Sequence, residues 1–553
     1  MEFLPFFWYN KCMENLANNF NTNTNNPYDN YYTPIQLILP VDLSIIINCD
    51  DPVYTFDKVL RGVNLEKYLV SDKIKDPRGR KGYNLVTLLK VVLFGFSLKG
   101  YVSTRELADL CVNDIRFRWL LRFEDSKPTH MTFCNFMNNY LLKNIDSIFK
   151  EINNYIFQYD NVDTEHLYID GTKLEANANK YSWVWKKACI TNRDKLFKKI
   201  SEFLKEFNEF LLPHSVCFEI KDSYEIEHLE KMFNQVREIL NIDPLLFVQG
   251  KGKRKTYEQK SYEFLNETIE QLKDYADKIE ICGDNRNSYS KTDYDATFMR
   301  VKTDYMGNDQ LLPAYNLQLG IADEYIAVMD INQFASDQSC FIPLMEKFNT
   351  LYGKYPKYPI ADAGYGCFNN YHFCEEHNME KFMKFPLFKK ETTNKEFHND
   401  PFRPINFKIN DNGNLVCPNN REFIKISNKK ADGLDSDRYV EYFKCKSCNK
   451  CKFRKQCHKS KDNRIIQINK TLSKYHQEVI NNLSSIHGAL LLMNRSIEAE
   501  GAFGIIKQDR FYKRIVRKGL DSVKLELFMI AVGFNIYKYH NKTHRRKVKI
   551  TIL

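Results

Sequence analysis

Asp170 closes the apolar segment HLYID and is followed by Gly171, while Asp362 closes KYPIAD and is followed by Ala363-Gly364. Either one alone is ordinary Asp-Gly turn chemistry. Two apolar strands that each deliver a carboxylate at their end make a stronger pattern. A third carboxylate, Glu500, lies in NRSIEAEGAFGIIKQDRFYKRIVRKGL, where Glu500, Phe503, Gly504 and Lys507 recur at helical spacing and share a face. Arg514 falls near that line if the helix continues, and Glu498 falls on a different face. Clustered carboxylates suit hard divalent cations, and two Mg²⁺ (or Mn²⁺) ions about 4 Å apart can stabilise the attacking and leaving oxygens of a phosphoryl transfer. Such a transfer asks the protein for little beyond positioning and charge neutralisation. Lys507, Arg514 and Arg517 have the right chemistry to hold phosphates beside those carboxylates. The plainer meaning of the same pattern is an exposed helix laced with surface ion pairs.

A second group of reactive side chains is Cys445-x2-Cys448-x2-Cys451-x5-Cys457, with His458 next and Cys417 upstream in LVCPNN. Four thiols so closely spaced predict a structural Zn²⁺ site, with Cys417 able to replace one of the four. The gap before Cys457 is longer than in ferredoxin-type iron–sulfur runs, and no Pro follows it. Cys111 and Cys134, within helical segments, read as small core residues.

These groups need elements to position them. Residues 1–33 are Asn- and Tyr-rich and predict a flexible leader. Residues 34–160 read as a helical domain, compatible with a helix-turn-helix-like DNA-binding module and equally with a plain helical bundle: STRE (Ser103–Glu106) is a capping box opening a helix that ends near Leu121, and PTHMTFCNFM starts another. The expected catalytic core is α/β and discontinuous, over 161–185, 286–390 and 470–540. It comprises HLYID, a hairpin of AYNLQLGI and YIAVMDI turning at Ala322-Asp323-Glu324, KYPIAD, KFMKFP and the late helix. Residues 186–285 read as a helical insertion carrying Leu196, Ile200, Phe203, Phe207 and Phe210 on one face, with the basic GKGKRK in a connection. Residues 391–469 read as an irregular Cys-rich insertion, and 541–553 as a basic tail. The alternating Tyr181, Trp183 and Trp185 default to core packing, and KTDYDATFMRVK, with Lys291, Asp293, Asp295 and Arg300, to a capped turn.

Bulk properties bound the function classes. A chain of 553 residues that is 43% hydrophobic and 14% aromatic can bury several cores and does not read as disordered. The formal charge of +11 is concentrated: Gly501 to Leu553 holds thirteen Lys and Arg against Asp509, Asp521 and Glu526. That clustering suits phosphate contacts. The most apolar stretch, residues 85–100, is too short for a membrane span and carries Lys90, so a buried helix and no membrane are expected. Fifteen cysteines, an odd number, with no export signal predict reduced thiols and a cytoplasmic protein.

Taken together, DGTKLEANANKYSWVWKK, KTDYDATFMRVK, PAYNLQLG, ADAGYG and RSIEAEGAFGIIKQDRFYKRIVRKG resemble the DDE transposases of bacterial insertion sequences. The similarity spans roughly residues 37–540 and is specific as a set. The resemblance implies a ribonuclease-H-like mixed sheet flanked by helices, an all-α amino-terminal domain, two divalent ions and Asp170, Asp362 and Glu500 as their ligands. It also implies double-stranded DNA partners, namely the terminal inverted repeats and the target, and a homodimer that synapses two ends. One feature departs from the family pattern. Of the Tyr, Arg, Glu and Lys that relatives carry on the last helix, Glu500 and Lys507 match, the Tyr is missing, and Arg495 lies one position from the expected site, which Ser496 occupies. Two rivals remain: a stand-alone nuclease on the same core and a non-catalytic DNA-binding descendant.

Overall fold

The computed structural model describes residues 46–69, 82–123, 127–301 apart from 249 and 251, 310–411, 413–430 and 439–552. The chain divides into Met1–Asn48 and Cys49–Leu553. The first unit has only residues 46–48 among those described, so the leader expected over 1–33 lies outside them.

Capping chemistry sets the start of each early helix in the second unit. Asp51 caps α1 (Pro52–Arg61), Asn84 caps α2 (Leu85–Lys99), and Ser103 caps α3 (Thr104–Asn113) by accepting from the Glu106 N–H at 3.1 Å. The helix expected to reach Leu121 stops at Asn113. Asp114 then takes an extended conformation and caps a fresh helix, α4 (Ile115–Leu120). Thr129 caps α5 (His130–Phe136), and α6 (Leu142–Asp160) follows after one π turn. The apolar α2 is buried as expected. Its Lys90 is also buried and is neutralised by Asp57 at 2.6 Å. Among the described residues no single helix is long and apolar enough to cross a membrane.

The central sheet is mixed and has six strands. β1 (His166–Glu175) lies between β5 (Leu311–Ala322), antiparallel, and β7 (Tyr358–Ala361), parallel. β5 also pairs antiparallel with β4 (Thr297–Arg300) and β6 (Tyr325–Asn332), and β7 pairs parallel with β8 (Phe382–Met383). β5 and β6 turn at Asp323 and Glu324, both at positive φ (46° and 69°), the mirror-type turn that suits the twist of a two-residue hairpin. α10 (Phe341–Tyr352) and α11 (Phe368–Glu376) connect the parallel strands. Short β2 (Trp183–Trp185) and β3 (Ser288–Ser290) pair with each other and bracket three helices: α7 (Lys186–Leu211), α8 (Ile226–Ile239) and α9 (Tyr257–Cys282). These helices close a core of their own around Ile200, Leu204, Phe207, Met232 and Leu265. Val184 is the buried residue of β2, whereas Tyr181 and Trp183 are exposed, so the aromatic run does not pack as a core stripe.

Residues 391–469 are more regular than their polar composition predicts. They contain an antiparallel sheet of β9 (Lys408–Ile409), β10 (Leu415–Val416), β11 (Glu422–Lys430), β12 (Tyr439–Cys445) and β13 (Ile465–Ile468). Phe407, Phe423, Phe443 and Ile466 make its small core, while Ile424 and Ile426 face outward. With one wet face, the strands look irregular in composition even though they pair along the whole sheet, with one register shift at Lys425/Ser427.

The carboxy-terminal region forms α12 (Lys470–Ser484), α13 (Ile486–Arg495), a run of π and α turns to Asp509, and α14 (Leu520–Ile552). α14 continues through the basic residues after 540 and packs on α1, α2, α6 and β6. A buried polar clasp fixes this packing. Asn535 Nδ2 donates to Asn153 Oδ1 at 2.9 Å and to the Ile326 carbonyl at 2.8 Å, and Asn535 Oδ1 accepts from the Ile326 N–H at 2.9 Å.

Candidate active site

Asp170 does not end its strand. β1 runs on through Gly171 to Glu175, with Asp170 opposite Leu319 and Gly171 opposite Gln318. The glycine is required by close approach: a β-carbon at Gly171 would stand 2.3 Å from the Gln318 side-chain nitrogen. Asp362 does stand just past the end of β7, and its Oδ1 accepts from the Gly364 N–H at 2.8 Å. Glu500 is the last residue of a π turn, Ser496–Glu500, that follows α13 directly. Asp170 and Glu500 face one cavity of about 330 Å³, together with Phe503, Gly504 and Lys507 from the shared face predicted for this helix.

Asp362 adjoins that cavity through a residue that sequence reasoning missed. Asp337 lines the same cavity as Asp170 and Glu500, and its Oδ1 accepts from Asn316 Nδ2 at 2.7 Å. A β-carbon on Gly364 would stand 2.9 Å from Asp362 Oδ1 and 3.7 Å from Asp337 Oδ2, so both carboxylates flank one backbone turn. Tyr365 feels the whole group. Burial drives its hydroxyl well above the usual phenol range, and the charges of Asp337, Asp170 and Asp362 add to the rise. The hydroxyl donates to Gln318 Oε1, the side chain packed over Gly171. Asp337 follows no strand and opens a short 3-10 turn in ASDQSC, which carries no sequence signal distinguishing it from a surface loop.

Arg495 spans the centre. Its Nη1 lies 3.8 Å from Asp170 Oδ2 and its Nη2 lies 4.0 Å from Glu500 Oε1, with the side chain mostly buried. The displaced arginine has a structural reason. A π turn takes one more residue than an α turn, so a side chain five positions before Glu500 reaches the place that four positions would reach in an α-helix. Ser496, at the expected position, is exposed.

The other sequence-predicted groups separate. Lys507 reaches into the cavity and donates to Thr172 Oγ1. Arg514 does not continue the helical line, because the helix ends at Asp509 and Phe511 takes a positive φ of 54°. It pairs instead with Glu175 at the far end of β1, where Nε lies 3.4 Å from Glu175 Oε1, and it does not line the cavity. Arg517 turns the other way and donates to Asn138 Oδ1 at 3.2 Å. Glu498 faces the β5–β6 hairpin, where it accepts from the Glu324 N–H at 2.5 Å, and burial raises its pKa. In KTDYDATFMRVK, Asp295 accepts from the Leu520 N–H at 2.8 Å at the start of α14, a capping role, whereas Arg300 lines the cavity.

Among the described residues no three His, Cys, Asp or Glu side chains are already closed around one point. The donor chemistry nonetheless fits hard cations: four carboxylates adjoin one cavity, and a guanidinium bridges two of them at ion-pair distance. Cys417, Cys445, Cys448, Cys451 and Cys457 line a separate cavity of about 20 Å³.

Comparison with known proteins bears on both ends of the chain. Residues 416–540, which include Glu500 but begin after Asp170 and Asp362, match the family model described as a transposase DDE domain. Residues 41–139 match a transposase domain model. No curated protein and no solved structure matches the chain. The rival of a non-catalytic descendant loses ground to these matches, since the DDE domain indicates a DNA-cleaving and strand-transferring enzyme. The matches to that domain over α12 to α14 and to a transposase domain over the early helices together support a DDE-type transposase of an insertion element.

Proposed function

We propose that Asp170, Asp362 and Glu500 are the ligands through which this transposase cleaves DNA at element ends and joins it to target DNA. The observation that carries the reading is the single acidic centre. Asp170 and Glu500 share a cavity across Arg495, and Asp362 acts on the same buried Tyr365 as Asp170. The mixed sheet, with an antiparallel pair on one side of β1 and parallel strands on the other, supports a ribonuclease-H-like core. Two Mg²⁺ or Mn²⁺ ions held by the three carboxylates would neutralise charge on the attacking and leaving oxygens.

The protein's own side chains do the positioning. Arg495 offsets the mutual repulsion of Asp170 and Glu500 and keeps both turned toward the cavity. Lys507 and Arg514 flank β1 and hold DNA phosphates, and Arg300 lines the same cavity as Lys507. Arg517 serves the fold by tying the segment before α14 to Asn138. Cleavage at an element end frees a 3′-hydroxyl, which attacks target DNA at the same carboxylates. The early helices choose the terminal inverted repeat, two copies of the chain hold two ends in a synaptic homodimer, and the site of action is the cytoplasmic nucleoid.

Purified protein, labelled element ends, a target plasmid and Mg²⁺ test the reading. Cleavage followed by joined plasmid product is expected. Cutting with no joining would instead favour the stand-alone nuclease, and intact ends would reject catalysis by this centre.

A further inference from the structure

The sheet of β9 to β13 is held by very little apolar material. Phe407, Phe423, Phe443, Ile466, Cys445 and Cys448 are its buried members. So small a core rarely supports an independent sheet, and a metal cross-link is the usual supplement. The five cysteines around the 20 Å³ cavity come from three separate places: the β10–β11 turn, the end of β12 with the loop after it, and the short helix Arg454–Cys457. A cavity of that size accommodates about one atom-sized sphere.

Hydrogen bonds sort the sulfurs. Cys448 Sγ accepts from the Arg464 N–H at 3.4 Å, Cys451 Sγ from Asn419 Nδ2 at 3.5 Å, and Cys457 Sγ from Arg464 Nη1 at 3.0 Å. N–H donors aimed at sulfur are the surroundings a thiolate ligand needs. Cys445 Sγ differs in facing an acceptor, the Ser447 carbonyl at 3.4 Å. Cys417 opens the β10–β11 turn, closed by the Asn420 N–H donating to its carbonyl at 2.9 Å, and faces the same cavity.

Two further features point to an ion. Both ring nitrogens of His458 are buried with no hydrogen-bond partner, and the ring lines this cavity. A metal-bound thiolate would give an imidazole N–H the acceptor it lacks. Arg454 and Arg464 line the cavity as well, and their two positive charges match the double negative charge of a zinc tetrathiolate.

We infer that Cys417, Cys448, Cys451 and Cys457 hold one structural Zn²⁺, with Cys417 in the place that spacing alone gives to Cys445. On binding, the ion replaces four thiol protons, which leave to solvent. No redox step is involved. The site fastens the β10–β11 turn to the loop after β12, and it stands apart from the carboxylate centre.

The test uses the full chain purified without chelator. Elemental analysis should find one zinc per chain, and Co²⁺ exchanged into the protein should give tetrahedral d–d bands with thiolate-to-metal charge transfer. Cys417→Ser, Cys448→Ser, Cys451→Ser and Cys457→Ser should each lose stoichiometric zinc, whereas Cys445→Ser and His458→Ala should keep it. Because a serine variant can fail to fold, zinc release is also followed in the unaltered protein by titrating a chelator against a colorimetric zinc indicator, with protease nicking between residues 410 and 465 as the structural readout. Protein with no zinc, or with iron and sulfide, would overturn the site. Zinc lost from Cys445→Ser but kept by Cys417→Ser would overturn the ligand assignment.

Discussion

Arg495 stands between Asp170 and Glu500, 3.8 Å from one carboxylate and 4.0 Å from the other, although 325 residues separate it from Asp170 in the chain. The π turn over Ser496–Glu500 makes this possible, since it carries a side chain five positions before Glu500 to the place that four positions would reach in an α-helix. Arg495→Ala should therefore lower end cleavage by about 10²-fold, the scale of one lost preorganised charge contact, with Arg495→Lys partly restoring it. Ser496→Ala should stay within about twofold. Cleavage rates on a labelled end at saturating Mg²⁺ decide the point, and equal losses at both positions would return the role to Ser496.

Asp170→Asn, Asp362→Asn and Glu500→Gln should each reduce cleavage by at least about 10³-fold while end binding changes little. Gel-shift and cleavage assays on the same preparations separate the two effects. Any one of these variants that cuts at full rate is not a ligand.

Asp337→Asn keeps the acceptor for Asn316 but removes a charge beside Asp362. Loss of about 10- to 100-fold in cleavage is expected, as for a group that orients ligands, together with a higher Mg²⁺ requirement. Unchanged Mg²⁺ dependence would make Asp337 a purely structural residue.

Glu498 and Glu500 lie two residues apart and should respond in opposite ways. Burial raises the Glu498 pKa, so its ionised form costs more in the folded protein than in the unfolded chain. That cost is absent below the ordinary carboxylate pKa and is fully present above the raised one. Glu498→Gln retains an acceptor for the Glu324 N–H, and it should match or exceed the parent melting temperature near pH 7, with the difference closing toward about pH 4. Its cleavage rate should be unaffected. A cleavage defect like that of Glu500→Gln would contradict the division of labour.

Phosphate contacts leave a salt signature. Lys507→Ala and Arg514→Ala should each reduce the slope of log affinity against log salt by about 1. Arg517→Ala should leave the slope alone and cost about 1 kcal/mol of stability through its lost bond to Asn138. Binding isotherms at several salt concentrations, with thermal melts, distinguish these outcomes.

Much of the site was legible because its residues obey local rules. Asp362 follows a short apolar strand and precedes a small-residue turn, and Glu500, Phe503, Gly504 and Lys507 repeat at helical spacing. Gly171 misled, since a glycine after a carboxylate reads as a turn, whereas here Gln318 of β5 crosses over it. Asp337 was invisible because a carboxylate in a 3-10 turn gains meaning only from what packs against it. The β9–β13 sheet was read as irregular because one face of its strands is wet and two of them are only two residues long.

The clasp of Asn153, Ile326 and Asn535 has a temporal consequence. Asn535 lies 382 positions after the residue it binds, so the part of the core that the early helices share with α14 cannot close until α14 has been made. A ribosome-bound fragment carrying the early helices alone would thus expose the apolar surfaces that α14 covers, and it would be a substrate for chaperones and proteases. Only chains that already include α14 would cover those surfaces, which ties the ordering of the early helices to the synthesis of α14.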